Sequence, residues 1–234
     1  MGEEKMAKFN QEKFNQFILE NKVVGFFEEP ITLKSGRLSH WYVNWRIVAE
    51  DVFLLDKLSD CIMAFVEDLG FQPDCFYGVP EGATKLGIIT QYKWAKESKN
   101  YGSGSHILPM GRGKPKDHGE PKDRFFLGQP KGKTVILEDV TTTGSSLLET
   151  IAHLTQAKIQ TIAAIGLTNR MELRDDGKSV KEAVEKKGIP YLQMSNALEL
   201  LPLAYQRLKP KGEIAKKVEE EFEKYGVKKL KLVR

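Results

Sequence analysis

The chain has 234 residues, 41% of them hydrophobic, with 36 basic and 32 acidic side chains, enough for one α/β domain with additions or two small ones. No apolar run reaches the length of a membrane span, residues 1–12 are too polar for a secretory signal, and the isolated Cys61 and Cys75 read as buried reduced thiols. The basic excess is confined to residues 209–234, with nine basic against five acidic, while the first 208 balance at 27 each, so a general nucleic-acid binder is disfavoured.

Residues 6–20 have a helical pattern with Phe14, Phe17 and Ile18 on one side. Residues 23–27 and 30–33 read as two short extended pieces. Lys34-Ser35-Gly36-Arg37 is a turn with a cation on each side, and an extended aromatic segment runs on from it to Asn44. Cations and aromatic faces suit an anionic planar ligand; a surface hairpin with solvated charges is the plainer alternative. Residues 51–69 form an amphipathic helix pattern with Leu55, Leu58, Ile62, Phe65, Val66 and Leu69 inward, ended by Gly70 and Pro73. Residues 75–77 are a first core strand. They enter a glycine-rich segment, 78–87, and a helix follows to about Lys96. Such a loop offers backbone donors to an anion. Residues 105–110 read as a second strand. Residues 111–124, with three glycines and two prolines, cannot pack a core, and a loop of that length is functional or disordered.

The segment 134–146 carries the chemistry. Val135-Ile136-Leu137, in a third strand over 133–137, is short and apolar, as a buried strand is. Glu138 and Asp139 follow, then the small residues Thr141 to Ser146. Leu147, Leu148, Ile151 and Leu154 fall at helical spacing, so a helix starts near Ser145 or Ser146. Backbone N–H groups and hydroxyls at a helix N-terminus suit a phosphate, and adjacent acids suit a pair of vicinal hydroxyls. One segment can thus hold a ribose 5-phosphate by both ends. No Walker sequence occurs, and an ordinary strand–turn–helix connection remains the alternative. Residues 161–167 form a fourth strand leading to Thr168-Asn169-Arg170. Ser179 and Glu182 make a capping box for a helix that ends at Gly188. Residues 191–194 form a fifth strand, and 197–208 an apolar helix. The tail has a further helix with Ile214, Val218, Phe222 and Tyr225 inward, expected to dock, and residues 228–231 beyond it are expected to fray.

A hydrophobic strand, Glu138-Asp139 and then Thr142-Thr143-Gly144 resembles the phosphoribosyl pyrophosphate motif of type I phosphoribosyltransferases. Leu33-Lys34-Ser35-Gly36-Arg37, with Ser39 and the aromatic stretch ending in Asn44, is similar to the N-terminal signature of orotate phosphoribosyltransferases. Arg112-x-Lys114-x-Lys116-x-His118-Gly119 matches that family's mobile catalytic loop. The three signatures occur in the family order, and the resemblance covers roughly residues 10–205.

The resemblance implies an α/β fold with an open, mainly parallel five-stranded sheet flanked by helices, under a small N-terminal hood. Residues 1–50 would be the hood, 51–208 the core and 209–234 a basic helical extension. It implies Mg²⁺-dependent transfer of a phosphoribosyl group to orotate, with the metal held through substrate and water and no direct side-chain ligand. Lys34, Lys85, Arg112, Lys114, Lys116, His118, Glu138, Asp139, Thr141, Thr142, Thr143, Gly144, Ser145 and Ser146 would bind phosphoribosyl pyrophosphate. Of these, Lys116, His118 and Asp139 would be catalytic. Tyr42, Val43, Thr142 and Arg170 would bind orotate, with Val43 standing where the family often has an aromatic. The implied protein is a cytoplasmic homodimer that shares loop 112–124 across its interface, with no nucleic-acid or membrane partner. One rival is a type I phosphoribosyltransferase for a purine or uracil. Another is a non-catalytic sensor of phosphoribosyl pyrophosphate that binds nucleic acid through the basic tail. The segment 34–44 and the Lys116–His118 loop argue against the first; the intact catalytic loop and the lack of a helix-turn-helix signal argue against the second.

Overall fold

The computed structural model describes residues 8–117 and 123–233. Helix α1 (Gln11–Glu20) starts at Asn10, whose side chain accepts from the Lys13 N–H. Strands β1 (Val24–Thr32) and β2 (Leu38–Val43) form an antiparallel hairpin. The two extended pieces expected in the sequence are one strand, with a register break between Phe26 and Ile31. The short α2 (Arg46–Ala49) precedes α3 (Val52–Asp68), which Asp51 caps through the Leu54 N–H. Then come β3 (Cys75–Gly78), α4 (Thr84–Glu97), β4 (Met110–Gly111), β5 (Phe126–Leu127), β6 (Thr134–Thr141) and α5 (Ser145–Gln156). The chain continues through β7 (Thr161–Asn169), α6 (Val180–Glu185), β8 (Tyr191–Asn196), α7 (Ala197–Leu208) and α8 (Gly212–Tyr225). The predicted capping box at Ser179 and Glu182 is present. Among the described residues no helix is long and apolar enough to cross a membrane.

The central sheet is parallel, in the order β3-β6-β7-β8. Alternate side chains leave its two faces. Phe76, Val135, Leu137, Ile165 and Leu167 enter one apolar cluster, and Tyr77, Ile136 and Ala164 enter another. The first cluster is closed by residues of α1, α3, α7 and α8, the second by α5 and α6. Helices therefore cover both faces, which explains why these strands are apolar without alternation.

Among the described residues the sheet has four parallel strands, not the five expected. Residues 105–109 form no strand; only Met110–Gly111 pairs, antiparallel to Phe126–Leu127, at the foot of the long loop. Pro109 has no N–H to give to a ladder. A side chain supplies the missing pairing. On the edge strand β3, the Phe76 N–H donates to Gln91 Oε1 at 2.8 Å, and Gln91 Nε2 donates to the Ile107 carbonyl at 2.9 Å. The fully buried Gln91 thus bridges the sheet edge to the segment read as a strand.

The tail also differs from expectation. Residues 228–231 do not fray: Leu230 and Leu232 are buried, and the Leu232 and Val233 N–H groups donate to Glu219 Oε1 at 2.6 and 2.9 Å. The Lys-Leu-Lys-Leu alternation of residues 229–232 puts leucines inward and lysines outward. Hood residues such as Ile18 and Trp41 share one apolar cluster with Leu58, Leu200 and Phe222.

Candidate active site

The carboxyl ends of the strands lie at one edge, with Thr141 in register with Asn169, and Asn169 with Asn196. Ligands of open α/β sheets bind at this edge. Strand β6 runs further than its apolar run suggests. Glu138 and Val140 stay in register with Gly166 and Thr168, so the acidic pair lies within the strand. The ladder with β7 fixes the pair there.

The chain then turns through Thr142 and Thr143 to Gly144, which starts α5 with φ +69°. Glycine adopts that conformation without cost, and a Cβ here would lie 2.9 Å from Val180 Cγ1. No side chain caps α5, so the N–H groups of its first turn suit an anion. Lys34 reaches over from the β1–β2 turn and donates to Ser146 Oγ at 2.8 Å. A cavity of about 160 Å³ lies between, lined by Lys34, Glu138, Thr142, Thr143, Gly144 and Ser146. The Thr143 and Ser145 hydroxyls are 3.0 Å apart. Arg174, which the sequence reading missed, donates to the Thr143 carbonyl and braces the loop from behind.

The acids have different environments. Glu138 is buried, and burial, together with the charge of Asp139 beside it, raises its carboxyl well above the usual range; Lys34 opposes this. Asp139 accepts from the Val140 N–H at 2.8 Å and rests against the loop after β3. A Cβ on Gly82 would lie 2.4 Å from Asp139 Oδ2. Behind the pair, the Thr141 hydroxyl and the Tyr191 phenol are 2.5 Å apart, and burial raises the phenol's pKa.

The structure places the other candidates as follows. Lys85 is exposed and donates to the Ala49 carbonyl at 3.3 Å. Arg112 N–H pairs with the Phe125 carbonyl and its Nε with the Asp123 carbonyl at 3.0 Å, so it ties the two sides of the long loop. Lys116 N–H donates to the Arg124 carbonyl. Lys114 is exposed and Lys116 half-buried. The foot of the loop lies beside the glycine-rich segment, since a Cβ on Gly113 would meet Glu81 Oε1 at 2.5 Å. His118 lies outside the described residues.

Tyr42 and Val43 are half-buried in β2, with Tyr42 stacked on Phe27 at 4.7 Å. Arg170 is 2% exposed and lies under the hood. Its Nε donates to Glu172 at 2.8 Å, its Nη2 to Ser39 Oγ at 2.9 Å, and its Nη1 is 3.5 Å from the Trp41 carbonyl. Glu172 and Arg174 stand in no motif, and the contact of Ser39, quoted in the N-terminal signature, with Arg170 is visible only in the structure.

A parallel sheet that carries an acidic pair and a small-residue loop at the carboxyl end of one strand, with an N-terminal antiparallel hairpin packed over it, is the fold of the type I phosphoribosyltransferases. No family model matches the sequence. The chain is 31% identical over 185 residues to the orotate phosphoribosyltransferase of Bradyrhizobium sp. (strain BTAi1), covering 75% of this chain and 90% of that protein. It is 30% identical over 194 residues to that of Polynucleobacter asymbioticus, covering 80% of this chain and 83% of that protein. The crystal structure of orotate phosphoribosyltransferase from Francisella tularensis matches with TM-score 0.65 at 21% identity, over 92% of this chain and 99% of that one. The structure of Leishmania donovani UMP synthase matches with TM-score 0.67 at 19% identity, over 91% of this chain and 42% of that longer one. The chain belongs to the orotate phosphoribosyltransferase family.

Proposed function

We propose that the protein is an orotate phosphoribosyltransferase of pyrimidine biosynthesis. It joins a ring nitrogen of orotate to the anomeric carbon of phosphoribosyl pyrophosphate, breaks the bond from that carbon to pyrophosphate, and releases orotidine 5′-phosphate. Lys34 supports this reading most directly: it comes from the hood and closes on Ser146 over the loop between β6 and α5. Thr141 to Ser146 hold the 5-phosphate. Asp139 and Glu138 hold the ribose hydroxyls.

Displacement at the anomeric carbon develops positive charge on the ribose, so the reaction needs a stabilised leaving group and a dry site more than a protein nucleophile. Lys34, Lys85, Arg112, Lys114, Lys116 and His118 are the cations for pyrophosphate, with Lys116, His118 and Asp139 as the residues that matter most to rate. Among the described residues no group of three or more His, Cys, Asp or Glu is set to hold a metal. Mg²⁺ would be held mainly through substrate phosphate and water, beside the half-buried Asp139. When bound, Mg²⁺ neutralises charge on the pyrophosphate. Arg170 meets the orotate carboxylate, with Tyr42, Val43 and Thr142 beside the ring. Arg170's approach to the Trp41 carbonyl, next to Tyr42, supports that grouping.

We assign the protein to the cytoplasm, in keeping with the free Cys61 and Cys75. It acts as a homodimer that shares loop 112–124. Val52 and Phe53, 85% and 67% exposed, support an apolar contact between subunits.

The test is the near-ultraviolet absorbance of orotate mixed with protein, Mg²⁺ and phosphoribosyl pyrophosphate. A decrease that requires all four components is expected. No decrease, with phosphoribosyl pyrophosphate still bound, would point to another base or to a sensor.

A further inference from the structure

Helix α8 meets the hood where Arg170 is held. Glu221 Oε2 accepts from Ser39 Oγ at 2.9 Å; Glu221 Oε1 accepts from the His40 N–H at 2.7 Å and lies 2.8 Å from His40 Nδ1. Ser39 has one hydroxyl proton, and the Trp41 carbonyl is also 2.9 Å from its Oγ. A charged acceptor makes the stronger bond, so Glu221 draws the proton and turns a lone pair of Ser39 toward Arg170 Nη2. The next residue of α8 holds the other side. Phe222 stacks on Trp41 with ring centroids 6.0 Å apart, and the Arg170 guanidinium carbon lies 3.6 Å above the Trp41 ring. One turn of α8 thus fixes both the edge and the face of the guanidinium. Three of its five N–H groups are engaged among the described residues.

We infer that Glu221 is a positioning residue for the base-binding side of the site, acting through Ser39 and Arg170. This gives the C-terminal helix a function, and it rests on the reading of Arg170 as the partner of orotate. Docking alone does not require such a network. A buried set of charges is costly to desolvate, and apolar residues hold helices together as well. What the charges add is a fixed orientation for a planar fork that must meet a carboxylate in its own plane.

The experiment is steady-state kinetics on the full chain, varying orotate and phosphoribosyl pyrophosphate separately, with Tm measured in parallel. Glu221→Gln should raise KM for orotate about tenfold, with kcat and KM for phosphoribosyl pyrophosphate within twofold of wild type. Ser39→Ala, which removes the relay hydroxyl without adding bulk, should give the same split and decides the matter should Glu221→Gln fold poorly. Glu223→Gln, on the exposed side of α8 beside Lys229, should change neither constant. An unchanged KM for orotate in Ser39→Ala, or both KM values rising together in either variant, overturns the inference. A wild-type protein that does not turn over orotate overturns the reading of the site, and this inference with it.

Discussion

Gly82, in the β3–α4 loop, and Asp139, in β6, leave no room for each other to change. Asp139 is set by the ladder of β6 with β7 and by its bond from the Val140 N–H. The β3–α4 loop can close on it only because residue 82 has no side chain. Gly82→Ala must therefore push the carboxylate aside. We expect KM for phosphoribosyl pyrophosphate to rise by roughly ten- to hundredfold, the scale at which small misplacements act, with little change in Tm; unaltered kinetics would remove Asp139 from ribose binding. Glu138 makes a second prediction, on pH. Its folded-state pKa is raised above the ordinary 4.5, mainly by burial. The stability this group contributes is complete below the unfolded value and is lost as pH rises through the folded one. Glutamine resembles the protonated acid and has no such dependence. Glu138→Gln should therefore unfold close to wild type near pH 4 and at a progressively higher Tm toward neutral pH. A Tm difference that does not change with pH would show that Glu138 ionises normally in the folded chain.

Gln91 replaces a piece of the sheet. Its amide satisfies an N–H at the edge of β3 and a carbonyl of the neighbouring segment at once. Gln91→Leu keeps the volume roughly and leaves both groups unpaired, at about 1–3 kcal/mol each. Urea unfolding should show a loss of that order; a loss well under 1 kcal/mol would mean that water replaces the amide. The same residue shows where sequence reading stops. Residues 105–110 carry enough apolar content to read as a strand, but pairing depends on what lies alongside, and a helical side chain took that place. Helix α7 was legible to the residue because its signals are local: Asn196 caps it and the apolar spacing is continuous. The acids Glu138 and Asp139 were read as following the strand because charge ends an apolar run, whereas the ladder with β7 carries it on. The small-residue loop before α5 and the turn that carries Lys34 stand out in the sequence as motifs. Arg174 and Glu221 do not, because each acts on residues more than thirty positions away, Glu221 on Ser39 across 182.

At the scale of the molecule the question is where the missing cations come from. In this chain Lys85 turns to the Ala49 carbonyl and Arg112 spends its Nε on the loop's own backbone. The cavity beside Glu138 is met by one lysine, Lys34, among the residues that line it. A pyrophosphate carrying several negative charges needs more than one cation. A second subunit whose loop 112–124 reaches into this site would supply them, and the exposed apolar Val52 and Phe53 would offer it a seat. Phe53→Glu places a charge on that seat without disturbing the core. Sedimentation should then show a monomer. Turnover should fall by two orders of magnitude or more, roughly the loss expected when positioned charges leave a reacting group, while Lys34 and the phosphate loop still bind phosphoribosyl pyrophosphate. Mixing this variant with one that keeps the interface but lacks Lys116 should restore no activity, because the first cannot dimerise. A monomer that turns over at the wild-type rate would show instead that each chain closes its own loop over its own site.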